Sequence, residues 1–156
     1  MKNIIISGYK ELSIEYLVLD YNGTLACDGQ LLDGVSSLLN NIAEHIHLHV
    51  VTADTFGRVE SSLEKIPCKL KILPEALQAE AKQRYVQNLG SDRTAAIGNG
   101  RNDRLMLKEA ILGIAVLGQE GTSVESIISA DVLCNSIYDA LNLLLQSKRL
   151  VATLRS

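Results

Sequence analysis

The chain has 156 residues, enough for one domain with a sizeable core. Hydrophobic residues make up 47% of it, which argues against disorder, and a formal net charge of −3 without a basic cluster argues against a nucleic-acid surface. The longest apolar stretches fall well short of the roughly 18 residues of a membrane span.

Asn3 to Ser7 reads as a strand and Ser13 to Asp20 as a second, with Gly8 to Glu11 as the turn of an opening hairpin. Leu17-Val18-Leu19 is a buried run that delivers Asp20 to the start of a Gly-containing turn, Tyr21-Asn22-Gly23-Thr24. A polar loop follows from Ala26 to Gln30. Val35, Leu38, Leu39 and Ile42 then recur at helical spacing, with Asp33 as the expected N-cap. His47 to Thr52 is a strand ending on a hydroxyl, and a short helix is expected from Phe56 to Ile66, stopped by Pro67.

Cys68 to Leu73 alternates as a strand. Pro74 is expected to open the next helix, with Ala76, Leu77, Ala81, Tyr85 and Leu89 inward and Gly90 at its end. Thr94 to Ile97 is a small-residue strand running into Gly98-Asn99-Gly100-Arg101-Asn102-Asp103. A helix from Leu105 to Ala110, a strand from Leu112 to Leu117 and a helix capped by Thr122 come next. A short strand from Ala130 to Cys134 and a last helix capped by Ser136 close the pattern, and the tail from Lys148 either continues that helix or frays. Strand and helix alternate almost throughout, which predicts one doubly wound α/β domain over residues 1–156, built on a parallel sheet.

The start MKNIIISGYKE has too short an apolar run for a signal peptide. Cys27, Cys68 and Cys134 are an odd number without CxxC spacing, which fits free thiols in a reducing compartment, so a cytoplasmic location is expected. His45, His47 and His49 are spaced for one face of a strand, but a helix end near Glu44 to Ile46 argues against a metal site there.

An unpaired carboxylate at the end of an interior strand is costly, so a cation, a phosphate or both should sit against Asp20. In chain order Asp20 is followed by the hydroxyl of Thr52, by Lys82 on a helix (with Lys71 a nearby rival) and by the Asn99 to Asp103 loop. A carboxylate nucleophile, a hydroxyl, a Lys and a second acidic loop are what phosphoryl transfer through an aspartyl phosphate requires. Mg²⁺ prefers carboxylates, phosphate oxygens and water.

These residues resemble the haloacid dehalogenase superfamily, and most of all the phosphorylation domain of P-type ATPases. The D-x-x-G-T motif appears as Asp20-Tyr21-Asn22-Gly23-Thr24, the strand ending in a hydroxyl as Val50-Val51-Thr52, the helical Lys as Lys82, and G-D-G-x-N-D as Gly98 to Asp103. Gly113 to Val116, Gly121 to Val124 and Ala130 to Val132 extend the likeness over most of the chain. The resemblance implies a Rossmann-like sheet in the order 5-4-1-2-3, and the short intervals between motifs leave no room for a cap domain. It further implies Asp20 as nucleophile, Asn22 in the acid–base position, Thr52 and Lys82 on the phosphoryl group, and Asp20, Asn22, Asn99 and Asp103 around Mg²⁺. Two substitutions cut against speed. Asn22 replaces the general acid and base of family phosphatases, worth about 10²–10⁴ in rate, and Asn99 replaces a metal-binding Asp.

The expected activity is a slow Mg²⁺-dependent phosphohydrolase or phosphotransferase; the competing expectation is a non-catalytic module binding phosphate or a protein. A phosphorylated substrate is implied, with neither nucleic acid nor membrane as partner. The open site implies a macromolecular substrate, or a lid lent by an oligomer or a protein partner.

Overall fold

The computed structural model describes residues 1–53 and 57–156. Two short strands, β1 (Lys2–Ile5) and β2 (Glu11–Ile14), form an antiparallel hairpin. The chain then enters the central sheet as β3 (Tyr16–Asp20). A second small hairpin, β4 (Ala26–Cys27) and β5 (Gln30–Leu31), and helix α1 (Val35–Ala43) lead to β6 (His47–Thr52). Helix α2 (Val59–Leu63), β7 (Cys68–Ile72), α3 (Gln78–Leu89) and β8 (Thr94–Gly98) follow. The chain closes through α4 (Arg104–Glu109), β9 (Leu112–Val116), α5 (Val124–Ser129), β10 (Val132–Cys134), α6 (Ile137–Leu145) and α7 (Ser147–Leu154).

Six strands make one parallel sheet in the order β10-β9-β8-β3-β6-β7. With β3 counted as strand 1 of the sheet, this is the expected 5-4-1-2-3 order with one further edge strand. The order reverses beside β3, so the crevice at its carboxyl end is where ligands bind in such folds.

Alternation along β3 decides what each face sees. Leu17 and Leu19 point to a core shared with Leu48, Val50, Ile97 and Ile114, covered by Val35, Leu39 and Ile42 of α1 and by Ala140, Leu141 and Leu144 of α6. Val18 points the other way, with Ala96, Ala115, Val86 of α3 and Met106 and Leu107 of α4. That second face is lined by small residues because α4 lies directly on the sheet: a Cβ on Gly113 would stand 2.1 Å from the Leu107 carbonyl oxygen. Asp20 shares the parity of Val18, so its side chain leaves the sheet on the side of α3 and α4.

Several expectations are corrected. Ser13 to Asp20 is two strands, because at Glu15 the chain changes partners. The Glu15 amide donates to the Arg93 carbonyl at 2.9 Å, and its carbonyl accepts from the His47 amide at 2.9 Å. The loop from Ala26 is a hairpin. Asp33 does not cap α1; Gly34 occupies that place at φ 82, and the Asp33 carbonyl accepts from the Tyr138 hydroxyl at 2.7 Å.

Pro74 does not open α3, which starts at Gln78 after Leu77 in a left-handed conformation (φ 56). Ala76 and Leu77 are therefore exposed, and the inner residues are Ala79, Lys82 and Val86, with Tyr85 and Leu89 half-buried. Thr122 does not cap α5, since its hydroxyl donates to the Val116 carbonyl at 2.7 Å. Helix α6 is capped by Ser136 as expected, with its hydroxyl oxygen accepting from the Asp139 amide, but it is not the last helix. The expected start of α2 at Phe56 lies outside the described residues. Among the described residues, only the small hairpin and α1 lie between β3 and β6, and only α2, β7, α3 and a short turn at Ser91–Arg93 lie between β6 and β8.

Candidate active site

Asp20 ends β3 between β8 and β6, and is buried with 5% of its surface exposed. The chain reverses at once after it. The Tyr21 carbonyl accepts from the amides of Thr24, Leu25 and Ala26, and Gly23 takes φ 78. A side chain at Gly23 is excluded twice, by that conformation and because its Cβ would stand 2.4 Å from the Asn99 amide nitrogen.

Lys82 reaches from the first turns of α3 and is almost fully buried. Its ammonium donates to Asp20 Oδ1 and to Asp103 Oδ1, both at 2.6 Å. Asp103 is entirely buried, and its other oxygen accepts from the Asn99 and Gly100 amides at 2.9 Å each. Gly98 makes this fold-back feasible, since a Cβ there would lie 2.5 Å from the Asp103 carboxyl carbon. One cation thus sits between two carboxylates in a dry setting.

Burial and the charge of Asp103 push the Asp20 carboxyl up to about 6, against the pull of Lys82 and the Thr24 hydroxyl. Burial works against the Lys82 charge, but Asp20 and Asp103 outweigh it and hold the ammonium above its ordinary range.

The open side of Asp20 faces a cleft of about 260 Å³, lined also by Asn22, Thr52, Ala53, Gln78, Asn99, Gly100 and Asn102. The topology therefore brings Asp20, Asn22, Thr52 and Asn99 to one cleft, with Lys82 directly behind Asp20. Asp103 stands behind Lys82 rather than in the cleft, its oxygens already engaged. Lys71 is on β7 and exposed. His47 and His49 flank Tyr16 at the opposite end of the sheet, where His49 Nδ1 meets the Tyr85 hydroxyl at 2.7 Å. Among the described residues no three His, Cys, Asp or Glu side chains gather as a metal-binding group.

Oxygen donors nevertheless converge beside Asp20. The Asn99 amide nitrogen donates to the Gly121 carbonyl at 2.9 Å, which turns its oxygen toward the Thr24 hydroxyl. That hydroxyl lies 3.1 Å from both Asn99 Oδ1 and Asp20 Oδ2, so three oxygens share a single hydrogen. A hard divalent cation that keeps waters and phosphate oxygens in its shell fits such a donor set.

One cleft residue, Gln78, carried no sequence signal, and Asn102 was given no role within its motif. Gln78 and Asn102 join across the cleft, the Asn102 amide donating to Gln78 Oε1 at 2.6 Å. Gln78 stands one helical turn before Lys82, a spacing that places both on the same face of α3. Thr24 was visible within its motif but carried no assigned role.

No family model matches the chain. An uncharacterised protein of Methanocaldococcus jannaschii is 46% identical over 92 residues, 59% of this chain and 88% of its own length. Among solved structures, the cobalt-bound deoxy-D-mannose-octulosonate 8-phosphate phosphatase of Haemophilus influenzae matches with a TM-score of 0.73 at 14% identity, over 88% of this chain and 90% of that one. The 3-deoxy-D-manno-octulosonate 8-phosphate phosphatase of Moraxella catarrhalis, in complex with magnesium, phosphate and KDO, matches at 0.68 and 19% identity, over 92% and 94%. This chain folds as those chains do, with its four motifs at one crevice. It has the fold of the haloacid dehalogenase superfamily.

The catalytic domain of the CPx-ATPase CopB-B also matches, at a TM-score of 0.60 and 20% identity over 73% of this chain and 45% of that one. The likeness to these two phosphatases thus extends over more of the chain than the likeness to the ATPase. A phosphoserine phosphatase of Idiomarina loihiensis is 29% identical over 121 residues, 74% of this chain, but the chain spans only 52% of that enzyme. Among the described residues no helix is long and apolar enough to cross a membrane.

Proposed function

We propose that this protein is a Mg²⁺-dependent phosphohydrolase or phosphotransferase that works through a phosphorylated Asp20, and that it turns over slowly. One observation carries the reading: a buried carboxylate at the switch point opens onto a cleft while Lys82 and Asp103 fix it from behind. The phosphatase neighbours support the reaction class.

An Asp20 oxygen attacks phosphorus, the bond from phosphorus to the leaving oxygen breaks, and that oxygen departs with the electron pair. Lys82 donates to the phosphoryl oxygens from one side and the Thr52 hydroxyl from another. Water then attacks the phosphorylated carboxylate, giving inorganic phosphate and restoring Asp20. Asp20 and the amide oxygen of Asn99, with Asn22 at the rim, would hold Mg²⁺; Asp103 acts one step removed, by positioning Lys82. The ion supplies positive charge to the phosphoryl group.

Asn22 hydrogen-bonds but gives no proton. Donors whose leaving group is already a stable anion, such as acyl phosphates, therefore react fastest, and attack by water is the slow step. The substitutions at Asn22 and Asn99 favour a second reading, a phosphate-binding module without turnover.

Radiolabelled acetyl phosphate with Mg²⁺ separates the two. Transfer of label to Asp20, with a burst followed by slow release, supports catalysis. Label that persists in Asp20→Asn, or no label at all, overturns it.

A further inference from the structure

A cavity of about 430 Å³ lies at the amino end of the parallel sheet, away from the Asp20 cleft, where Tyr16, His47 and Cys68 open β3, β6 and β7. Its wall has two parts. Ile46 and Leu48, both buried, and Pro67 make one side apolar, while His47, His49 and Lys69 make the other polar. His49 is paired with Lys69 in the strand register, so the two side chains leave the same face of the sheet next to each other.

His49 is 3% exposed, and its ring is held from one side only. Nδ1 lies 2.7 Å from the Tyr85 hydroxyl. Nε2 has no partner among the described residues, yet no enclosed side-chain nitrogen or oxygen among them goes without one, so Nε2 opens onto the cavity. A phenol is a better donor than acceptor, so Tyr85 donates to Nδ1 and leaves the ring proton on Nε2. Burial, then Lys69 and His47, hold the imidazole below its ordinary range, and at neutral pH Nε2 offers an uncharged N–H.

None of the described residues lining the cavity is acidic, and Glu15, next to Tyr16 in the chain, is taken up by Arg93 at 3.2 Å. One ammonium and one neutral N–H, with no carboxylate to oppose them, suit a singly charged anion with two oxygens. A metal ion on His47 and His49 would need a lone pair where Nε2 holds a proton, and would face Lys69. The space is too large for a bare ion, and its apolar side calls for a body attached to the charge.

We infer that this cavity binds a small carboxylate with an apolar body, one oxygen accepting from His49 Nε2, the other facing Lys69, and the body lying along Ile46, Leu48 and Pro67. It is a second site, and it stands whatever reaction Asp20 performs.

The test uses phenylacetate, phenylacetamide and acetate, which carry the charge with the body, the body alone, and the charge alone. Calorimetric titration of the whole chain is expected to show phenylacetate bound about tenfold or more tightly than either of the others. Lys69→Met removes that advantage, whereas Lys71→Met, two residues further along the same face, leaves the affinity within about twofold. Both lysines are exposed, and thermal melts within about 2 °C of the parent show that the variants are folded. Binding persists in Asp20→Asn, and ¹⁵N spectra of the imidazoles place the His49 proton on Nε2, with that resonance moving as phenylacetate is added.

Affinities within threefold across the three compounds, or equal losses in the two lysine variants, overturn the site. So does a His49 proton found on Nδ1. Loss of binding in Asp20→Asn would put the carboxylate in the other cleft and overturn it as well.

Discussion

Replacing Asp20 by Asn should make the protein more stable at neutral pH, because its buried carboxylate is held ionised at a cost to the fold. Its carboxyl is raised from 3.8 to about 6 by burial and by Asp103. Between those values the folded chain binds the Asp20 proton more fully than the unfolded chain does. Stability contributed by the protonated form is thus fully present below pH 4 and is lost as pH rises through 6. At 1.36 kcal/mol per pH unit the loss is roughly 3 kcal/mol, an upper bound for a group coupled to its neighbours. Asn reproduces the uncharged form, with an oxygen for Lys82 and an amide facing Thr24. It leaves Lys82 and Asp103 as a balanced pair. A gain of about 1–3 kcal/mol corresponds to a rise in Tm of about 2–10 °C for a chain of this size. The assay is thermal melting of parent and Asp20→Asn from pH 4 to 8 with a chelator present. The two should coincide near pH 4, separate between 4 and 6, and stay apart above. A variant less stable than the parent at pH 7, or a gap that ignores pH, would refute the reasoning.

Lys82→Met leaves two buried carboxylates facing each other and should cost about 3–5 kcal/mol at pH 7, partly recovered below pH 6 as Asp20 takes up a proton; denaturant melts at both pH values check it. Asn99→Asp adds a carboxylate to the oxygens beside Asp20 and should tighten Mg²⁺ binding by no more than a few kcal/mol, read by calorimetry. Equal affinity would mean the loop does not hold the metal. Peptide mapping of aged protein should find Asn99 intact while Asn22 deamidates first. Asn99 is held at both ends of its amide and the Gly100 amide is engaged by Asp103, whereas the Asn22 side chain is exposed.

Every strand of the sheet was legible in the sequence: the inner parallel strands read as apolar runs, the edge strand β7 as an alternating one, and three of the four motifs fell at the end of a strand, with Lys82 on α3. The boundaries that failed are those set by tertiary contacts. Nothing local marks Glu15 as the residue where the chain leaves the hairpin for the sheet; that is decided by Arg93 and His47, distant in sequence. Pro74 is a good helix opener in isolation. The chain must first cross from the edge strand β7 to the face holding Val18 and Asp20, and Leu77 absorbs the turn in a left-handed conformation. In the site, residue types and order gave Asp20, Thr52, Lys82 and the Gly98 to Asp103 loop. They did not give the division of labour within that loop. Asp103 looks from sequence like a group facing the cleft, but Gly98 lets it fold behind Lys82, a geometry that only the close approach of two backbone segments defines.

That division explains how the site tolerates Asn22 and Asn99. Asp20, Lys82 and Asp103 together carry one negative charge, spread over groups that already satisfy each other. Carboxylates at positions 22 and 99 would put four negative charges around one cation, a net charge of −3. The one at position 99 would be buried and uncompensated until a divalent ion entered, at a cost of several kcal/mol. With amides there instead, the Thr24 hydroxyl and the Gly121 carbonyl satisfy Asn99 without any ion. The substitutions remove charge that would bind metal and a group that would move protons, and in the same stroke free the fold from depending on either. In the proposed reaction, slow chemistry and a site that stands assembled before metal arrives are two consequences of one change in charge.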